Sequence, residues 1–177
     1  MSSKFFIEAK ENLEYISTKI SNDKYLNQLL YANIITILET YLYRVFTTLL
    51  ENNFELLKKL TNSSKFKTQK VTLKMALSDI KKHILEMIKG LNYHNLADID
   101  LIYKDVLEIK IKYNDEILKA IEIRHDIIHR NGYKKDGDKV FILNEDIIKS
   151  IETFENLIKE IDKEVIEKFF CDKKLIK

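Results

Sequence analysis

The stretch of this 177-residue chain best suited to chemistry is "RHDIIHRNG", Arg124 to Gly132. It holds two of the four histidines and one of only three glycines. An imidazole, with a reference pKa of about 6.5, can take and return a proton at neutral pH. A guanidinium stays charged and grips phosphate oxygens with paired N–H donors. The reaction that needs both is cleavage of a phosphodiester. Arginine neutralises the charge building on the phosphorane, and histidine moves a proton at the 2′-hydroxyl or the leaving 5′-oxygen. Two other readings of the histidines stand beside this one. His125 and His129 have the spacing of a helical metal pair, but zinc needs a third protein ligand. His94 could join only by folding, and the glutamate that follows the first histidine of a zinc-protease helix is missing. The histidines could also sit as cations near a helix C-terminus, where the dipole favours imidazolium.

The helix that must carry these residues begins after Asn114, a good N-cap, with Asp115 and Glu116 in its first turn, and runs to about Arg130. Gly132 supplies a left-handed stop. With Ile117 at zero and about 100° per residue, Ile121 and Ile128 fall within about 40° of it and define an apolar stripe. Arg124 falls at about −20°, inside the stripe, where a leucine is expected. His125 and His129 lie at about 80° and 120°, on its edge, and Asp126 at about 180°, on the outer face. A guanidinium turned inward needs compensation.

A second helix, 24–52, has the complementary problem. It is apolar on most faces and should be central, yet it carries Glu39. Arg44 is about 140° round from Glu39 and cannot serve it. The spacing therefore predicts that Arg124 and Glu39 approach one another. Either they form a structural ion pair, or Glu39 holds Arg124 at a cleft where it can grip a phosphate.

The remaining elements follow from periodicity. Residues 4–21 read as a first amphipathic helix, broken by "SNDK". Residues 53–60 continue helically or after a kink, and "TNSSKFKTQ" is a loop. Residues 68–90 read as a helix ending at Gly90, and about 97–111 as a short helix. "YKKDGDKVFIL" resembles a small hairpin or extended loop with Asp136-Gly137 at its tip. Asn144 is expected to cap a last helix whose stripe of Ile147, Ile148, Ile151, Phe154, Ile158, Ile161 and Val165 runs to about Phe169. The expected fold is all-α: one domain over 1–177, a bundle of four to five main helices with a short β-hairpin-like insertion before the last.

Composition narrows the field. There is no proline, and hydrophobic residues make up 45% of the chain, enough for one real core. A net charge of +2 neither implies nor excludes a nucleic-acid partner. Residues 61–90 are the most basic region, with seven lysines against Asp79 and Glu86. The Lys-rich 65–82 part reads as a solvated face or as an RNA track. Cys171 is the only cysteine, so no disulfide forms within the chain, which fits a cytoplasmic protein, and no Cys-based zinc site arises. The N-terminus does not read as a signal peptide, and the long second helix is too polar for a membrane span. No membrane partner is expected.

Taken together these residues resemble a known family. Arg124 and His129 give R-x-x-x-x-H with a polar residue, His125, directly after the arginine. This is similar to the signature of the HEPN superfamily. "ANIITILETYL" resembles its second-helix signature, with Glu39 at the common acidic position. "NYHNLADI" followed by "RHDIIHRNG" and a short insertion resembles the RiboL-PSP-HEPN-like subgroup, over nearly the whole chain. The resemblance implies a helical bundle that dimerises through the motif-bearing helices, each subunit giving one Arg and one His to a shared cleft. It implies a metal-independent, cofactor-free endoribonuclease that cleaves single-stranded RNA to 2′,3′-cyclic phosphate ends, acting as a toxin or in phage defence. A neutralising partner such as an antitoxin is part of the same picture. Carried over by position, Arg124 and His129 are the catalytic pair, and Glu39 orients Arg124. His125 takes the place of the auxiliary polar residue, often asparagine in the family, and Asp126 is a further auxiliary polar group. Arg130, Asn131 and Tyr133, beside the motif, are candidates for the RNA groove. The family also contains inactive binding or assembly modules, which is the alternative reading.

Overall fold

The computed structural model describes residues 2–77 and 79–170, and Cys171 lies outside them. Among the described residues the protein is all-helical, with no strand. Its α-helices are α1 (Lys4–Ser17), α2 (Lys24–Asn52), α3 (Phe54–Asn62), α4 (Leu73–Ala76), α5 (Ile80–Lys89), α6 (Leu96–Leu107), α7 (Asp115–His129) and α8 (Asn144–Val165). A π-helical turn, Ile166–Phe170, follows α8. Eight helices thus stand where periodicity predicts four or five main ones. The chain divides into two compact units, one of Met1–Tyr41 with Lys112–Lys177 and one of Leu42–Ile111.

The first unit holds α1, the start of α2, α7 and α8. Helix α1 begins at Ser3, whose hydroxyl accepts from the Phe6 N–H at 3.2 Å and donates to the Asp162 carboxylate. It stops at Ser17, short of residue 21. There the Ser17 and Thr18 hydroxyls donate to the carbonyls of Glu14 and Tyr15 at 2.6 and 2.7 Å, and the Lys19 N–H closes a tight turn on Ile16 at 2.9 Å. Phe5, Phe6, Ala9, Leu13 and Ile16 bury one face, and α1 packs on α8. Asp162 is buried but well served, since it also accepts from the Ser3 N–H at 2.9 Å and the Tyr41 hydroxyl at 3.1 Å.

Helix α8 buries the expected stripe except Ile148, which is exposed. Asn144 does not cap it. The cap position is Leu143, whose N–H donates to Asp146 Oδ2 at 2.8 Å. Asn144 instead accepts, through its side chain, from the buried Asn27 at 2.7 Å. The insertion before α8 carries a single antiparallel bridge, Tyr133 to Lys139, with Gly137 at φ 93° in its tip.

In the second unit α3 packs on α6. Asn53 separates α3 from α2 and caps it, accepting from the Glu55 N–H at 3.0 Å. Tyr103, fully buried, stacks on Phe46 at 5.3 Å and donates to the Leu42 carbonyl at 2.6 Å. Burial disfavours its ionisation and pushes the phenol well above its ordinary range. The expected helix 68–90 is two helices. Thr72 caps α4, and Asp79 caps α5 by accepting from the Lys82 N–H at 3.1 Å. A capping aspartate broke the pattern without any proline or glycine. Gly90 does close α5, but at φ −80°, so no left-handed turn is made there.

Candidate active site

Helix α7 forms where its first turn predicts. Asn114 accepts from the Ile117 N–H at 3.0 Å, and Asp115 and Glu116 lie at the positive end of the dipole. At its far end the Asp126 carbonyl accepts twice, from the Arg130 N–H at 3.1 Å and the Gly132 N–H at 3.0 Å. The left-handed stop begins one residue before the expected glycine: Asn131 has φ 52° and Gly132 φ 79°. Asparagine tolerates that region. At Gly132 a side chain would meet Gln28, whose Oε1 lies 3.0 Å from the place of a Cβ. Gln28 in turn donates to the Val140 carbonyl at 2.7 Å, tying the insertion to α2.

Arg124 and Glu39 meet. Arg124 Nη2 lies 3.7 Å from Glu39 Oε1, with side chains 14% and 18% exposed. That distance is an ion pair without a tight hydrogen bond. The Arg124 Nε is buried and has no hydrogen-bond partner among the described residues. The guanidinium is therefore anchored by charge and retains unspent donor capacity.

The rest of α7 is turned differently from the sequence expectation. Ile117, Ala120 and Ile127 are buried, which swings the buried face roughly 70° away from Ile121 and Ile128. Ile128 is 48% exposed and Leu118 44% exposed. Asp126, placed on the outer face by the wheel, is only 6% exposed. Its carboxylate takes the Arg130 guanidinium four residues on. The reason is visible in "DIIHR": Ile127 and Ile128 are equally apolar, and the Asp126–Arg130 pair decides which turns inward. Sequence reasoning missed that pair, although its i,i+4 spacing was a signal. Gln28 gave no signal at all.

The outward face of α7 thus carries Leu118, Ile121, His125, Ile128 and His129. The two imidazoles pack against each other with centroids 4.7 Å apart and ring planes at 42°. His129 is exposed and His125 half-buried. Tyr133, on the insertion, is half-exposed with Lys139 Nζ 5.5 Å from its ring centre. Asn131 is exposed, and Arg130 is engaged by Asp126. A cavity of about 610 Å³ touches Glu116, Lys119, Ala120 and Ile123, the other side of α7, and so is distinct from the histidine face. Among the described residues no three His, Cys, Asp or Glu side chains are grouped so as to hold a metal ion. No helix among them is long and apolar enough to cross a membrane.

Comparison with family models, with curated proteins and with solved structures found no match to this chain.

Proposed function

We propose that the protein is a metal-independent endoribonuclease that works as a homodimer on single-stranded RNA, in the manner of HEPN proteins. The observation that carries this reading is the state of Arg124. It is held by Glu39 at 3.7 Å and has a buried Nε without a partner. Arginine in that state can bind a phosphate oxygen and stabilise charge as it builds. His129, exposed on another side of α7, is the general acid–base group, with His125 in ring contact as its auxiliary.

A dimer is the arrangement that would bring these groups together. Arg124 and His129 are about 140° apart around α7, so one copy directs them to different sides. Leu118 and Ile128, nearly half exposed, flank the histidines on a strip that a second α7 would cover. Packed there, one copy's arginine and the other's histidine face one cleft. Attack by the 2′-hydroxyl on its own phosphorus, with departure of the 5′-oxygen, leaves a 2′,3′-cyclic phosphate and needs no water. The half-exposed Tyr133 ring, with Asn131 and Arg130 behind it, would line the approach for RNA. Such an activity suits a toxin or phage-defence effector held in check by a neutralising protein in the cytoplasm.

A second reading has its own support. The Arg124–Glu39 pair is mostly buried and would brace a binding or assembly module with no chemistry. Incubation with single-stranded RNA in EDTA separates the two. The nuclease reading expects cleavage with cyclic-phosphate ends that disappears in His129→Ala and Arg124→Ala. Intact RNA across many sequences, or equal cleavage by His129→Ala, removes it.

A further inference from the structure

The second unit carries a feature the nuclease reading does not use. From Lys65 to Lys82 there are six lysines against Asp79 alone, whereas the whole chain has a net charge of only +2. Asp79 is also committed locally, as the cap of α5. Lys65 is engaged by Asp98, and Lys81 donates to the Glu51 carbonyl at 2.8 Å. Lys67, Lys70, Lys74 and Lys82 are exposed. Between them stand the most exposed aliphatic side chains of the described residues. Leu73 is 85% and Leu77 90% exposed, with Val71 and Ile80 also outside. Leu73 and Leu77 are four residues apart, on one side of the short α4 and the turn that follows it.

Three occupants fit a basic face in general, and composition separates them. An RNA track relies on aromatic platforms and arginine, and has no use for leucines raised into solvent. The one aromatic residue here, Phe66, is half-buried, and there is no arginine. A protein-binding face is enriched in aromatic residues, methionine and arginine, and depleted in lysine. Apart from the half-buried Met75, this face has the reverse bias: lysine with leucine, valine and isoleucine. A bilayer surface uses that combination, because aliphatic side chains enter below the headgroups while lysine stems reach back to lipid phosphates. It also asks for no shape complementarity, which suits two leucines that protrude singly. The lack of a membrane-crossing helix among the described residues concerns spanning, and surface contact needs none.

We infer that the exposed lysines and aliphatic side chains described between Lys65 and Lys82 form a contact surface for an anionic lipid bilayer, with Leu73 and Leu77 inserting and Lys67, Lys70, Lys74 and Lys82 facing the phosphates. The claim is independent of any nuclease activity. It is tested by sedimenting the full chain with vesicles of phosphatidylglycerol and phosphatidylcholine in equal parts, and with phosphatidylcholine alone. The expected result is association with the mixed vesicles only, weakening as salt is raised. Leu73→Ser with Leu77→Ser should reduce partitioning by at least about tenfold, and Lys70→Glu with Lys74→Glu likewise. All four side chains are exposed, so these variants should keep the wild-type melting curve. Three results overturn the proposal: no association with anionic vesicles; association that the leucine changes leave intact; or a single-stranded oligonucleotide that binds through the lysines while vesicles do not.

Discussion

Helix α7 carries two arginine–carboxylate pairs of opposite construction. Asp126 and Arg130 are neighbours one turn apart. The carboxylate is buried, and the pair sits where the same residue's carbonyl closes the helix. Arg124 and Glu39 come from different helices, stand 3.7 Å apart, and leave an arginine nitrogen unsatisfied. Buried donors are normally paired, so the orphan Arg124 Nε stands out on the helix that also carries both histidines. The closed pair lies at the end of α7 where Asn131, Gly132 and Tyr133 turn, whereas the open pair holds a charge mostly buried between two helices.

This contrast can be broken in several ways. The largest effect expected is on catalysis: His129→Ala should lower the cleavage rate by about 10²–10⁴-fold while leaving the melting temperature unchanged, since the side chain is exposed. A gel assay with circular dichroism melts checks both. Arg124→Ala should cost about 10²–10³-fold in rate, the loss typical of a transition-state donor. Its stability penalty should stay near 1–2 kcal/mol, below that of a fully buried pair, because the pair is long and partly exposed. A larger penalty with no effect on RNA would turn Arg124 into a brace. Asp126→Ala should show the reverse profile. Urea titration should give a loss of about 2–4 kcal/mol, and cleavage per folded molecule should fall far less than in His129→Ala or Arg124→Ala. Smallest of all, Glu39→Gln keeps the shape and removes the charge. It should slow cleavage by about tenfold, roughly 1.4 kcal/mol, read most clearly as a fall in kcat with KM near its starting value.

How far the sequence led depends on how local each signal was. Asn114 with Asp115 and Glu116 placed the start of α7 because a cap is a contact between near neighbours. The bounds of α2, Lys24 and Asn52, were legible from its long apolar run. The proximity of Arg124 and Glu39 followed from two charges misplaced on apolar stripes. What failed depended on competition between equivalent choices. Ile127 and Ile128 could each face inward, and the pair of Asp126 with Arg130 selected one. Asn144 and Leu143 competed for the start of α8, and Asn27 drew the asparagine away. Asp79 split a basic helix in two, a cap hidden among lysines. The division into two units was not legible either, since it falls within the continuous α2, with no glycine or proline to mark it.

Mixing two dead variants tests the central claim most directly, that Arg124 of one copy works with His129 of another. Arg124→Ala and His129→Ala chains, each inactive alone, are refolded together and given single-stranded RNA in EDTA. A shared cleft predicts recovered cleavage with 2′,3′-cyclic phosphate ends, because a mixed dimer holds one intact arginine–histidine set. A mixture that forms dimers yet stays as inactive as its parents, beside an active wild type, would contradict it.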